Sequence, residues 1–177
     1  MIEIKRIVSG DDPLLDSLKE LYTEAFPPEE RRSVDLLGNV VEENEELFFS
    51  AVLDGDELVG LVGYWVFPEF MYLEHLAVFT EMRNRKIGQQ VLDFLAESFE
   101  TRILEVEPVC DEITERRVNY YQRNGYKILD KGYIQPAYSG LPEENLPLWI
   151  MGAGAIDAGK LQEYISTIKA KVYNYFE

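Results

Sequence analysis

The chain has 177 residues, 46% of them hydrophobic and 12% aromatic, which suits one folded domain and excludes a globally disordered chain. A net charge of −16 and a pI near 4.4 argue against a general nucleic-acid or anionic-membrane surface. No apolar run reaches the ~18 residues of a membrane helix. The single cysteine, Cys110, leaves no intrachain disulfide, and residues 1–5 alternate like a strand rather than a signal peptide, so a cytoplasmic protein is expected.

Residues 2–8 alternate and predict a first strand. Asp11 or Asp12 followed by Pro13 opens a helix whose apolar face is Leu14, Leu15, Leu18, Leu21, Tyr22 and Phe26, and Pro27-Pro28 stops it. Residues 29–43 predict a second helix with Val34, Leu37, Val40 and Val41 inward. Residues 48–53 and 58–67 are strands joined by the hairpin turn Asp54-Gly55. Pro68 breaks the chain before a central strand, 72–79. A helix over 87–100, a strand over 103–109 and a helix over 113–123 follow, the last stopped by Asn124-Gly125. Strands over 126–134 and 146–151, a small-residue linker over 152–159 and a helix over 161–176 complete a mixed α/β order.

Charge is unevenly placed. Nine of the seventeen Lys and Arg residues lie between Arg83 and Lys131, and none lies between Ser33 and Met82. The acidic excess reads either as a solubilising surface or as a division of labour, with the cationic segment meeting an anion and the acidic one a cation. The sharpest local feature is Leu73-Glu74-His75-Leu76-Ala77-Val78, a buried strand, followed by Arg83-Asn84-Arg85-Lys86-Ile87-Gly88-Gln89-Gln90, a basic turn entering a helix near Ile87 or Gly88. Free backbone N–H groups and the helix dipole make such a junction an anion site. The bland alternative is a solvated turn, but three cations at a helix N-terminus oppose the dipole and favour an anion there.

This stretch resembles the signature of the GNAT superfamily of acetyl-CoA-dependent N-acetyltransferases, Arg/Gln-x-x-Gly-x-Gly/Ala, here Arg83-x-x-Lys86-x-Gly88 after Leu76-Ala77-Val78. A second signature, a Tyr four residues before Gly, appears as Tyr121-Gln122-Arg123-Asn124-Gly125. The resemblance covers about the first six-sevenths of the chain and leaves the terminal helix outside. It implies a central, mostly antiparallel mixed sheet splayed between its fourth and fifth strands and flanked by helices, with the acetyltransferase domain over 1–152. Residues 153–177 are then a linker and a helix packed on that domain or on a partner subunit. It also implies that Leu76, Ala77, Val78, Arg83, Asn84, Arg85, Lys86, Ile87, Gly88 and Gln89 bind acetyl-CoA. In that scheme the Leu76 N–H polarises the acetyl carbonyl. Lys86 stands where the family has its first glycine. It can supply its N–H at an ordinary φ and add an ammonium contact, or its side chain can crowd the pyrophosphate.

Acyl transfer also needs a base for the amine and an acid for the thiolate. Glu74 is the first candidate base, because a carboxylate mid-strand beside Leu76 is desolvated and its pKa raised. An ion pair with a neighbouring element is the alternative. Glu105 and Glu107, on one face of the fifth strand, are second candidates as water-linked bases or as an anionic lining. His75, on the face opposite Glu74, reads as a packing histidine. Tyr121 matches the family's tyrosine acid; Tyr120 is about 100° away round the helix. Gln135 and Tyr138, in an aromatic loop, are expected to border the acceptor. Arg116 and Arg117 reach a cofactor phosphate or are simply solvated. Cys110, near the end of the fifth strand, leaves a covalent acyl-enzyme as a remote alternative. The expected activity is direct transfer of acetyl from acetyl-CoA to a small, cationic primary amine, without a metal, nucleic acid or membrane. The rival is a non-catalytic acyl-CoA sensor, and residues 161–176 are a candidate homodimer element.

Overall fold

The computed structural model describes residues 1–176. Glu177, the last residue of the expected terminal segment, lies outside the described residues. The chain divides into two compact units, Met1–Phe67 with Leu73–Ser98, and Pro68–Tyr72 with Phe99 onward. Its seven-stranded sheet is mostly antiparallel, and helices complete a mixed α/β fold.

The first unit holds β1 (Ile2–Arg6), α1 (Leu15–Ala25), α2 (Leu37–Glu43), β2 (Leu47–Asp54), β3 (Glu57–Val66), most of β4 (Met71–Val78) and α3 (Ile87–Ser98). Its strands run in the order β1-β2-β3-β4. β1 pairs antiparallel with β2 and β2 with β3, closing at Asp54↔Glu57, where Gly55 takes a φ of 63° that the turn requires. At Gly60 of β3, a Cβ would sit 2.5 Å from the Ala77 carbonyl oxygen, so only glycine lets β3 lie this close to β4 there. The apolar face of α1 is buried through Leu15, Leu18, Leu21 and Tyr22, as its spacing predicts.

The second helix is much shorter than expected. Of residues 29–43 only Leu37–Glu43 are α-helical, preceded by single 3₁₀ turns at Pro28–Glu30 and Val34–Leu36. Between those turns Arg31 is extended, with φ −144° and ψ 162°. Tertiary bonds hold it open: the Glu30 carbonyl accepts from the His75 ring 2.9 Å away, and the Arg32 N–H donates to the Tyr22 hydroxyl at 3.0 Å.

The second unit holds the first residues of β4, then β5 (Arg102–Val106), α4 (Glu112–Arg123), β6 (Lys127–Asp130), β7 (Ile134–Gln135), β8 (Leu146–Pro147), β9 (Trp149–Ala153) and α5 (Ala158–Val172). Met71 opens β4 by donating to the Thr101 carbonyl at 3.0 Å, and β9 lies antiparallel to both β5 and β6. The predicted strand over 126–134 is cut in two, because the Asp130 carboxylate turns the chain by accepting the Gly132 N–H at 2.7 Å. The strand over 103–109 ends at Val106, two residues before Pro108. α4 starts on a capping box between Asp111 and Thr114 and stops at Gly125, φ 86°, as its Asn-Gly signal predicts. α5 begins three residues before the expected start, on an Asp157 cap, and buries Leu161, Tyr164, Ile165, Ile168 and Val172. Its Tyr164 ring stacks on Phe70 at 4.3 Å and Lys160 pairs with Glu69 at 3.0 Å, so the helix packs on residues 68–72 of its own unit.

Candidate active site

The predicted strand, basic turn and helix occur in sequence in the first unit. Along β4, Leu73, His75 and Ala77 are buried while Glu74, Leu76 and Val78 are intermediate, the alternation of a strand with two different faces. The helix begins at Ile87. Gln90 donates to the Lys86 carbonyl at 3.0 Å, whereas the N–H groups of the turn before it have no carbonyl of their own helix to reach. Asn84 and Lys86 both sit in the left-handed region, with φ 73° and 57°. The φ of Lys86 is therefore not ordinary. Lys86 takes a conformation that favours glycine, at a cost of about 1 kcal/mol.

The three loop cations separate into two kinds. Arg85 is neutralised: its guanidinium donates to Asp54 at 2.5 Å and Glu57 at 2.7 Å, both on the β2–β3 turn. It therefore braces the loop against two carboxylates of the acidic span. Arg83 and Lys86 are exposed and form no ion pair among the described residues.

Glu74 does not meet the sequence expectation for a base. Its side chain is 2% exposed, and its carboxylate is paired with the Arg32 guanidinium and accepts the Trp65 indole N–H at 2.7 Å. Burial pushes the carboxyl up, but Arg32, His75 and Trp65 outweigh it, and Glu74 is held below the ordinary carboxylate range. The expected upward shift is corrected: Glu74 takes the alternative, an ion pair with a neighbouring element, and the cation is Arg32. Arg32 also lies over the Trp65 ring, 5.5 Å from its centre. His75 packs edge-on to Tyr22 and Phe26 at 4.9 and 4.5 Å, as a packing histidine, and burial lowers its pKa.

In the second unit the Glu105 carboxylate is surrounded by neutral donors. Tyr133 donates at 2.5 Å, the Gln135 amide at 2.6 Å and Tyr173 at 2.8 Å, with a further bond from Tyr72. Tyr173 shares hydrogen bonds with Tyr72 at 2.8 Å and Gln135 at 3.0 Å. Burial dominates all four donors and raises the Glu105 pKa. No ion pair to Glu105 occurs among the described residues. Glu107 is different: it lies past the end of β5, exposed, and is paired with Arg117 at 2.7 Å. Its expected place on the strand face beside Glu105 is corrected, and Arg117 is engaged by a carboxylate. Tyr138 packs on the Tyr173 ring at 5.1 Å. Tyr121 lies half-buried on α4 between Tyr120 and Tyr126, and burial pushes its hydroxyl up to about 12, so it is a protonated donor at neutral pH. Cys110 is exposed just before the α4 cap. No cluster of metal-ligating side chains occurs among the described residues.

The sequence model of the acetyltransferase (GNAT) family matches residues 13–126, a span from α1 through α4 that holds the basic turn and Tyr121. The chain belongs to the GNAT family. A GNAT-family protein of Bacteroides thetaiotaomicron, itself provisionally named an acetyltransferase, superposes with a TM-score of 0.90 at 32% identity, over 98% of this chain and 99% of that one. Coverage this complete takes in α5, so the likeness extends beyond the six-sevenths of the chain read from the motifs. YjbC of Bacillus subtilis (strain 168), also provisionally named an acetyltransferase, is 27% identical over 110 residues. That match spans 61% of this chain and about half, 55%, of YjbC. An aminoglycoside 6′-N-acetyltransferase complexed with coenzyme A shares the fold, with a TM-score of 0.62 at 22% identity over 88% of this chain and 98% of its own.

Within this GNAT chain the residues that sequence reasoning missed are Arg32, Trp65, Tyr72 and Tyr173. Arg32 carried a signal: it is the last cation before the cation-free span that opens at Ser33. Tyr173 carried none, since an aromatic residue at the end of an amphipathic helix is ordinary packing.

Proposed function

We propose that the protein is a cytoplasmic acetyl-CoA-dependent N-acetyltransferase that acts on a small cationic primary amine by direct transfer. The observation that carries this reading is the α3 N-terminus, where first-turn N–H groups, two left-handed residues and two unneutralised cations, Arg83 and Lys86, meet at one loop. That donor set fits a pyrophosphate, with backbone N–H groups of Ile87 and Gly88 holding oxygens and the side chains adding charge. Bound acetyl-CoA would supply a thioester: an N–C bond forms, the C–S bond breaks, and ammonium plus thioester become amide, thiol and one released proton.

The remaining steps belong to side chains. Glu105 takes the proton from the acceptor nitrogen, which its raised pKa suits better than the lowered one of Glu74. The Tyr121 hydroxyl donates its proton to the sulfur and recovers one from the nitrogen. Glu74 anchors the segment before α2 through Arg32. Release of thiol from acetyl-CoA over an amine panel tests the reading. Thiol release with a primary amine supports it. Tight acetyl-CoA binding with no release for any amine would make the protein a sensor, and no binding at all would remove both readings.

A further inference from the structure

A buried carboxylate is stable next to a cation, and Glu105 has none among the described residues to pair with. A second unmet requirement lies beside it. Gln135 is 7% exposed, its amide nitrogen is used by Glu105 and Tyr173, and its Oε1 is buried with no donor among the described residues. The amide cannot be turned to help, because that would set Oε1 against the carboxylate. One anion and one orphaned acceptor in the same network call for a group with positive charge and several N–H donors.

We propose that Glu105 and Gln135 dock the acceptor's primary ammonium group, and that Tyr173, carried by the tail of α5, is the positioning residue that orients both. The inference rests on the acetyltransferase reading for the use of the site, but its geometry stands alone. Tyr173 is 7% exposed and spans the network, donating to Glu105 and meeting Gln135 and Tyr72. Tyr138 packs edge-on against its ring, which helps to hold the phenol in place. α5, which lies outside the stretch matched by the family's sequence model, thereby becomes a working part of the acceptor site. The groups facing Glu105 are Tyr72 from β4, Tyr133 from the β6–β7 turn, Gln135 from β7 and Tyr173 at the C-cap of α5; Lys169 of α5 lies 5.7 Å from the Tyr133 ring. Loss of one hydroxyl donor leaves ionised Glu105 less stabilised, so the ammonium is held less firmly and the base titrates higher.

The test uses the full chain, with n-butylamine and 1,4-diaminobutane as probes and n-butanol as the uncharged control. Tyr173→Phe keeps the ring and its packing. It is expected to raise the amine KM about tenfold, to move the acidic limb of the pH profile upward, and to leave acetyl-CoA affinity unchanged. Gln135→Leu is expected to weaken amine binding in calorimetry, and n-butanol to bind neither protein. Unchanged amine KM and pH limb in a folded Tyr173→Phe protein would overturn the site while leaving the transferase reading intact. Amine binding by the wild type without thiol release would defeat the transferase reading and keep the ammonium site. Failure of both amines to bind the wild type would overturn the site. If Gln135→Leu does not fold, Gln135→Glu, which keeps the shape and adds charge, is expected to tighten the diamine; no change there would count against the proposal.

Discussion

Glu74 and Glu105 are both buried strand carboxylates, and they are solved in opposite ways. The first unit brings its own cation: Arg32 reaches Glu74 from a segment 42 positions earlier, and the carboxyl is held below its ordinary range. The second unit offers Glu105 only hydroxyls and an amide, and burial wins. The lesson is that burial alone does not make a base. A carboxylate with a resident cation is a structural tie, and one with neutral donors keeps a proton affinity that chemistry can use.

The largest expected effect comes from removing the proposed base. Glu105→Gln is expected to lower kcat by about 100- to 10,000-fold with acetyl-CoA affinity retained, read by thiol release and calorimetry. Next is the tie. Arg32→Ala leaves Glu74 buried and unpaired and is expected to cost about 3–5 kcal/mol of stability, read by denaturant titration at constant m-value.

The two carboxylates should also give opposite pH slopes. The lowered pKa of Glu74 gives stability that is present above the unfolded value of about 4.3 and is lost as pH falls through the folded pKa. Glu74→Gln should therefore cost more at pH 7 than at pH 3. The raised pKa of Glu105 gives stability that is present below that unfolded value and is lost as pH rises through the folded pKa. Glu105→Gln should therefore gain on the wild type as pH rises from 4 to 8. Thermal melts from pH 3 to 8 check both slopes, and parallel curves would remove the contrast. The smallest effect belongs to the basic turn of the first unit. Lys86→Gly relieves a φ of 57° and is expected to stabilise the fold by about 1 kcal/mol. If the ammonium also holds phosphate, acetyl-CoA affinity will fall in the same variant.

What was legible in the sequence was local. The Asp54-Gly55 turn, the Asn124-Gly125 stop and the run from β4 into α3 each depend on neighbouring residues, and each stands where its signal put it. What was not legible depends on distance along the chain. The extended Arg31 is held open by Tyr22 and His75, so helical periodicity over 29–43 was outvoted by tertiary bonds. The Glu105 network joins positions 72, 105, 133, 135 and 173, and no spacing rule connects them. Lys86 was visible as a departure, but only the backbone shows that the departure is one of conformation.

Glu105, and not Glu74, is the base proposed to remove the acceptor's proton. The direct measurement is the rate of thiol release at saturating acetyl-CoA with 1,4-diaminobutane for Glu105→Gln and Glu74→Gln, each confirmed folded by its thermal melt. Turnover lost in Glu105→Gln and retained in Glu74→Gln is the expected result; retention in Glu105→Gln with loss in a folded Glu74→Gln would contradict it.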